Sequence, residues 1–358
     1  MEEYTVRVYR DGDEHAINDL FNTIFREKRS LEEWQWKFRG VPMGKVNLIT
    51  VAESGGRILG QYANLPCLYK YQDKISLVGF PVDNFVSPEF RGGMKGIQKE
   101  MFEYQHEVTR INKVSFGFGF PNREAYIVGK RILKYRDIGK IRVLFKRLNW
   151  ALAVKAKMPW LPSPVLGLVR FFSSMAFRLA IRLKGQDNLK GVTLRETDPR
   201  DEDFDLLWEK VKGQAGIIGV RDRKYVRWRF TRPGHHYTLS VAEKEGEMAG
   251  YLVTGIKEQD GMRIGYIVDL LSLNSGVTSA LISEALCGFT AKGVDFVLVW
   301  MCSHSDAFTV LTRFGFSERD EFPPVNLVYF IFDPGEADEA YVSDLKNWYL
   351  TMADSDAF

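Results

Sequence analysis

The chain has 358 residues, a formal net charge of +3 at pH 7, 45% hydrophobic residues and 27% charged residues. This length exceeds one ordinary hydrophobic core and predicts two domains, and the composition is typical of a soluble globular protein. The near-neutral net charge argues against nucleic acid as a partner.

The cysteines and the N-terminus limit where such a chain would work. Cys67, Cys287 and Cys302 are far apart and odd in number, which argues against a disulfide framework and favours a reducing compartment. The sequence has no cluster of Cys and His residues at metal-binding spacing, so we expect no metal site. The N-terminus is charged from its second residue, unlike a signal peptide, and no uncharged apolar stretch reaches the roughly 18 residues of a membrane span. We therefore expect a cytoplasmic protein.

Strands and helices alternate along the first half. In chain order we predict a strand at TVRVYR, a helix at HAINDLFNTIF, a short helix at WQWKF that carries two tryptophans, and a hairpin with its turn at Ser54-Gly55-Gly56. A buried strand ending in VDNFV, a helix, the strand KVSFGFGF, another helix and closing strands follow. Interleaving of this kind predicts an α/β fold.

The second half repeats this order. WQWKF (34–38) recurs in pattern as VRWRF (226–230), residues 48–62 match 239–252, residues 79–88 match 265–274, and residues 132–139 resemble 313–320. Because the matches keep their order, they predict a duplicated unit. We expect two related domains at 1–150 and 191–333, a connector at 151–190, and a tail at 334–358 with one helix around Tyr341 to Tyr349.

A glycine-rich loop follows the buried strand of the first copy. It reads Arg91-Gly92-Gly93-Met94-Lys95-Gly96 and leads into a helix. Amides at a helix N-terminus point outward, the helix dipole favours negative charge there, and glycine lets a backbone approach an anion closely. Arg91 and Lys95 add positive charge. The loop therefore predicts an anion site.

The order of elements and the stretch from Val86 to Ile97 resemble the GNAT family of acyl-CoA-dependent N-acyltransferases. In that family, a Q/R-x-x-G-x-G/A loop binds the pyrophosphate of coenzyme A. Arg91 and Gly96 match this motif, whereas Met94 stands where the family prefers glycine and Gly93 lies one place early. The resemblance implies two tandem GNAT-like domains, each a mixed, mostly antiparallel sheet flanked by helices.

The resemblance also implies acetyl-CoA or another acyl-CoA as co-substrate, with no metal. A further match is Asn122 with Ala125, which fits a family Asn-x-x-Ala sequence whose Asn often contacts the pantetheine arm; Asn122 could equally serve as a helix N-cap. The residues implied in cofactor binding are Phe85, Val86, Arg91, Gly92, Gly93, Met94, Lys95, Gly96, Ile97 and Asn122.

Two side chains are candidates for proton transfer in the implied reaction, in which an amine attacks the thioester. Asp83, on the strand before the loop, is the candidate general base, with a pKa raised by apolar surroundings. The alternative is a structural role shared with Asp269, its match in the second copy. The family acid is a tyrosine seven residues after the Asn, where this chain has Gly129. Tyr126 is then the candidate acid, or else a packed aromatic residue.

The connector concentrates the positive charge of the chain. Residues 140–186 contain ten Lys or Arg residues and no Asp or Glu. Within them, 163–184 forms an amphipathic helical pattern rich in phenylalanine and arginine. The segment 160–184 is therefore either a basic helix that lies on an anionic membrane surface or a linker helix buried between the domains. The first reading would place the protein at the inner face of the membrane.

The second copy lacks the glycine and cation loop, since residues 271–286 contain no arginine and Gly276 alone. We expect it to keep the fold, lose the cofactor and help form the cleft for the acceptor. The resulting hypothesis is transfer of an acyl group, most simply acetyl, from acyl-CoA to a small-molecule primary amine such as an amino sugar or a cell-envelope precursor. Phe80, Phe85 and Phe90 favour a short acyl group. The alternatives are a non-catalytic CoA- or anion-binding module and an aminoacyl transferase of the tandem cell-wall type that uses charged tRNA.

Overall fold

The structure is a computed structural model that describes residues 3–44, 46–93, 96–186 and 191–358. The first half contains the following elements: β1 Thr5–Val8, α1 Asp13–Phe25, α2 Leu31–Phe38, β2 Ile49–Ser54, β3 Arg57–Tyr71, β4 Lys74–Val86, α3 Ile97–Ile111, β5 Phe116–Gly119, α4 Arg123–Arg131 and β6 Arg136–Arg147. This order is the one predicted from the sequence.

Two helices, α5 Trp150–Lys157 and α6 Ser163–Gln186, lead to the second half. Its elements are β7 Val192–Glu196, α7 Asp203–Val211, β8 Ile217–Gly219, α8 Arg223–Phe230, β9 Tyr237–Lys244, β10 Glu247–Gln259, β11 Met262–Ser272, α9 Ser275–Ala291, β12 Phe296–Met301, α10 Asp306–Arg313 and β13 Val325–Ile331. The chain ends with α11 Glu339–Ser343 and the short strand β14 Trp348–Tyr349. We call β1 to β6, with their helices, the first unit, and β7 to β13, with theirs, the second unit.

Local sequence explains why the two units start and turn alike. The side chain of Ser30 accepts a hydrogen bond from the Glu33 N–H at the start of α2, and Asp222 does the same for Tyr225 at the start of α8. The β9–β10 hairpin turns through Glu245 and Gly246, both with positive φ, as a two-residue turn requires. The predicted hairpins are therefore confirmed.

The strands form one continuous sheet rather than two separate ones. In the described part of the chain, its order is β1-β2-β3-β4-β5-β13-β6-β12-β11-β10-β9-β7. Most neighbours are antiparallel; β4 with β5 and β11 with β12 are parallel. The predicted mixed and mostly antiparallel α/β architecture is confirmed.

The two units exchange their closing strands. β13 of the second unit lies between β5 and β6 and pairs with both, while β6 of the first unit pairs with β12. The sequence had predicted that the sheet of each copy ends with closing strands of that same copy. Each unit's sheet is instead completed by the other unit, and the domain boundaries at 150 and 191 stay a prediction.

A second symmetric contact joins the units at the tryptophan helices. The rings of Trp36 on α2 and Trp228 on α8 stack with centroids 5.3 Å apart. Each indole Nε1 donates to the backbone oxygen of the other tryptophan, at 2.7 Å from Trp36 and 2.9 Å from Trp228. Because the two residues occupy matching positions of the repeat, this contact lies on the approximate twofold relation between the units.

The C-terminal tail packs inside the molecule. The predicted helix around 341–349 is too long: α11 ends at Ser343, and Trp348 and Tyr349 form β14, which pairs with β8. Trp348 is 0% exposed and its ring lies 5.1 Å from that of Phe118. The tail is therefore part of the core.

The connector helix α6 lies at the surface of the second unit. Within the described residues, its part Ser163–Ile181 is long and apolar enough to cross a membrane by length and composition. Arg170 and Arg178 interrupt this stretch, so the sequence prediction, which concerned uncharged apolar runs of roughly 18 residues, is not contradicted and stays a prediction.

Replacement of Trp348 by alanine tests the role of the tail. We expect Trp348→Ala to lower the free energy of unfolding by about 3–5 kcal/mol, since it removes a fully buried aromatic ring. The measurement is urea denaturation followed by circular dichroism.

The matched control is Trp160→Ala, which removes the same side chain from a position that is 72% exposed. It should change the free energy of unfolding by no more than about 0.5 kcal/mol. Equal effects of the two substitutions would contradict the assignment of the tail to the core.

Candidate active site

The parallel strands β4 and β5 separate and leave a cavity between them. They pair only at Val78 with Phe116 and at Gly79 with Gly117, although β4 continues to Val86. The cavity beyond these pairs is lined by residues of β4, of the starts of α3 and α4, and of the segment after α4, among them Phe85, Val86, Ile97, Asn122, Ala125 and Tyr135.

A bulge in β4 directs the strand toward this cavity. Gln61 pairs with Phe85 and Ala63 with Val82, so Asp83 and Asn84 together oppose Tyr62. Asp83 has a positive φ of 49°. The Asn84 side chain replaces a ladder bond by accepting from the Ala63 N–H at 2.8 Å, which holds the bulge in place.

The glycine-rich loop ends at the cavity. Residues Pro88–Gly93, including Arg91 and Gly92, form a 3₁₀ turn, and α3 begins at Ile97. Gly96 is the N-cap of α3 and provides no side-chain hydrogen bond to the helix. Met94 and Lys95 lie outside the described residues. The prediction that main-chain nitrogens around 91–97 bind a diphosphate stays a prediction.

Asn122 fulfils its predicted structural role and also lines the cavity. Its side-chain oxygen accepts from the Ala125 N–H at 2.9 Å, which caps α4. The position of Asn122 is therefore compatible with both predicted roles, the helix N-cap and a contact with the pantetheine arm.

Asp83 does not match its predicted chemistry. Its carboxylate is paired with the Arg29 guanidinium and accepts a hydrogen bond from the Lys37 ammonium at 2.8 Å. Burial alone would raise the pKa of this carboxyl, but Lys37 and Arg29 hold the pKa below its usual range. The expected raised pKa is wrong, because the surroundings of Asp83 are cationic rather than apolar.

Tyr126 also lies apart from the cavity. Its hydroxyl donates to Asp137 at 2.9 Å, and this hydrogen bond together with partial burial raises its pKa. Lys130 binds the same carboxylate. Tyr126, the predicted acid, is therefore part of a hydrogen-bond cluster at the surface.

A different tyrosine, Tyr135, lines the cavity, and sequence analysis missed it. Its hydroxyl lies 2.9 Å from that of Tyr62, and burial raises the pKa of Tyr135 to about 12. A Cβ added to Gly129 would lie 2.3 Å from the Tyr135 ring. Gly129, at the position where the family has its tyrosine, leaves the space that the Tyr135 ring fills. This glycine is the sequence signal that could have pointed to Tyr135.

A second cavity lies between the units. Trp36 and Lys37 of the first unit, Trp228 and Arg232 of the second, and Asp356 of the tail are among its lining residues. We call it the interunit cleft. Lys37 donates to Asp83 of the β4 bulge and, at 3.0 Å, to Asp356 in the cleft, so one ammonium links the bulge to the cleft.

No group of three His, Cys, Asp or Glu residues in the described chain is placed to hold a metal ion. The thiols of Cys67 and Cys302 are shielded, and burial raises the pKa of each to about 12. Neither is therefore a thiolate at neutral pH.

Comparison with known proteins agrees with this geometry. Residues 5–131 match the family model described as an acetyltransferase (GNAT) domain. No curated protein sequence matches the chain.

Solved structures with the same fold cover nearly the whole chain. A GCN5-related N-acetyltransferase from Anabaena variabilis has a TM-score of 0.65 at 10% identity, covering 92% of this chain and 73% of that one. A probable N-acyltransferase of unknown function from Enterococcus faecalis has a TM-score of 0.63 at 13% identity, with coverage of 93% and 73%. The N-myristoyltransferase of Saccharomyces cerevisiae, solved with bound myristoyl-CoA, has a TM-score of 0.56 at 13% identity, with coverage of 98% and 88%.

The fold, the separated strands and the matched domain lead to one assignment. Acyl transfer from acyl-CoA is the chemistry that a GNAT domain supports. Residues 5–131 thus match an acetyltransferase (GNAT) domain, and the solved structures extend the similarity in fold over nearly the whole chain.

Proposed function

We propose that the protein transfers a short acyl group, most simply acetyl, from acyl-CoA to a primary amine held in the interunit cleft. The observation that carries this proposal is the cavity between β4 and β5, which runs from the start of α3 to the β4 bulge. An extended thioester cofactor fits such a groove, with its diphosphate at one end and its acyl group at the other.

The donor would be held mainly by the main chain. Its diphosphate would lie at the start of α3, near Arg91 to Ile97, where Gly96 leaves the first turn without a side-chain cap and the helix dipole favours an anion. The pantetheine arm would extend past Asn122 and along Phe85 and Val86 of β4. In this arrangement the thioester carbonyl reaches the bulge, where backbone donors can stabilise its developing negative charge.

An aromatic cluster supports a short acyl group. The ring of Phe85 lies 6.1 Å from Phe21 and 6.0 Å from Phe25, both on α1, in edge-to-face contacts. These rings occupy space beside β4 that a long acyl chain would need. Acetyl therefore fits this geometry better than a long-chain acyl group.

The interunit cleft suits an amine that carries polar groups. Trp36 and Trp228 provide flat apolar faces, and Asp222 and Asp356 provide carboxylates that can bind an ammonium or hydroxyl groups. Amino sugars and envelope precursors present this combination. The position of Lys37 between cleft and bulge means that an acceptor here approaches the thioester from the side of β4.

Tyr135 is our candidate for stabilising the leaving thiolate. Its pKa of about 12 keeps the phenol protonated throughout the neutral range, so the hydroxyl can always donate a hydrogen bond. It lines the same cavity as Phe85 and Asn122. We do not propose Tyr126 or Asp83 for proton transfer, since neither lines this cavity and Asp83 is paired with Arg29 and Lys37.

The two alternatives differ in what they require. An aminoacyl transferase acting on charged tRNA calls for a basic trough, whereas the interunit cleft contains Asp222, Asp354 and Asp356 beside Arg229 and Arg232. Charged tRNA therefore fits this cleft less well than a small amine. A non-catalytic CoA-binding module remains an outcome of the binding and turnover experiment below.

Calorimetry with acetyl-CoA tests the donor site. We expect Gly96→Asp to weaken acetyl-CoA binding at least tenfold, because it places a carboxylate at the start of α3 where the diphosphate would bind. The same carboxylate can cap the helix, so the variant should stay folded.

The matched control is Asn274→Asp, at the N-cap of α9. It should leave acetyl-CoA binding unchanged, and an equal loss there would contradict the assigned site. Thiol release is then measured with the wild-type protein over a panel of amines. Binding without turnover on any amine would favour the non-catalytic module.

Replacement of Tyr135 by phenylalanine tests the leaving-group role. We expect Tyr135→Phe to lower kcat by about 10²-fold while acetyl-CoA affinity stays the same, since the ring still packs against Phe330 and Gly129. Tyr126→Phe, the control, should leave kcat within twofold or so of wild type. A reversed pattern would restore Tyr126 as the acid.

A further inference from the structure

Helix α6 is apolar on two opposite faces. One face packs on α9 of the second unit: Ile181 is buried, Phe177 contacts the same core cluster, and Arg170 donates to the Gly293 backbone oxygen at 2.8 Å. At 100° per residue, the opposite face carries a second set of large apolar residues. This second face faces away from the protein core.

The outward face is exposed in the structure. Its apolar side chains, each more than half exposed, are Leu168, Phe171, Phe172, Met175 and Leu179. Trp150 on α5 and Trp160 between the helices are exposed as well. We call these seven residues the outer apolar face. Clusters of large exposed apolar side chains of this kind mark a binding surface.

The segment that carries the outer apolar face has charges of a single sign. Residues 140–186 contain ten Lys or Arg residues and no carboxylate. Lys155 and Lys157 on α5 and Arg178 on α6 are exposed. A partner that covers this surface must therefore accept bulky apolar side chains and neutralise a row of cations.

We propose that the outer apolar face docks on an anionic lipid bilayer, with its aromatic residues at the level of the headgroups. Phenylalanine and tryptophan partition into this layer, and each Lys or Arg gains from anionic headgroups. The bilayer meets both requirements at once. The three thiols, all free, favour the inner face of a membrane, toward a reducing compartment.

Two other occupants fit the surface less well. A second copy of the chain, related by a twofold axis, would bring the cations of both copies together without a carboxylate from this segment to pair with them. A helix that spans the bilayer would have to leave α9, giving up the Arg170 contact and the burial of Ile181.

Vesicle co-sedimentation of the full chain tests the proposal without an activity assay. We expect the protein to sediment with vesicles of phosphatidylcholine and phosphatidylglycerol, to stay in solution with phosphatidylcholine alone, and to be released by raised salt. The double substitution Lys155→Glu with Lys157→Glu should weaken binding to the anionic vesicles, with each of the two changes contributing a factor of at least about five.

An apolar substitution has a matched control in the same protein. Leu179→Asn, at a position 61% exposed, should lower binding to anionic vesicles about tenfold. Leu206→Asn, on α7 and 63% exposed, should leave it unchanged. Both residues are exposed, so neither variant should unfold.

Four results would overturn the proposal. These are failure to sediment with anionic vesicles at low salt, equal effects of the two leucine substitutions, and a dimer in sedimentation velocity that Leu179→Asn abolishes, which would assign the surface to a second copy. The fourth is resistance of the cellular protein to extraction by alkaline carbonate, which would indicate a spanning helix.

Discussion

The pairing of β13 with β5 is the contact that joins the sheet of the first unit to the second unit beside the cavity at the end of β4. β5 has four residues and shares only two residue pairs with β4, so most of its pairing comes from β13 of the second unit. The Phe330 ring of β13 lies over Gly117, where a Cβ would be 2.3 Å away, and stacks on Tyr135. The cavity is lined by residues of the first unit, and the second unit contacts that lining through Phe330, which packs on Tyr135.

The same helix start has different chemistry in the two units. Asn274 caps α9 by accepting from the Val277 N–H at 3.1 Å, and β11 pairs with β12 at four residues. At α3 the cap is Gly96, and β4 pairs with β5 at two. A side chain satisfies the helix start in the second unit, whereas the N-cap glycine of α3 provides no such side chain.

Sequence periodicity and repeats were enough to predict the hairpins, the tryptophan helices and the α/β class, because each depends on residues close in the chain. They could not predict that β6 and β13 exchange places, since nothing local in either closing strand selects a partner. The same limit applies to Asp83: Arg29 and Lys37, which lower its pKa, precede it by 54 and 46 residues. Tyr135 was missed because a motif search looks for a side chain at one position, not for the ring that fills the space above a glycine.

The cluster around Asp83 accounts for the geometry of the bulge. A non-glycine residue with positive φ costs about 1 kcal/mol or more, and Asp83 adopts this conformation in a nearly buried position. Its carboxylate binds both Arg29 and Lys37, and burial of the Lys37 ammonium is opposed by Asp83 and Asp356, which raise its pKa. Lys37 and Asp83 are therefore both charged at neutral pH, and removal of either partner would leave an uncompensated buried charge. In the second unit, Asp269, which matches Asp83 in the repeat, forms an ion pair with Arg221. Because the pair persists where the cofactor loop is absent, it serves the shape of the strand, and the strand in turn positions Phe85 and Val86 at the cavity.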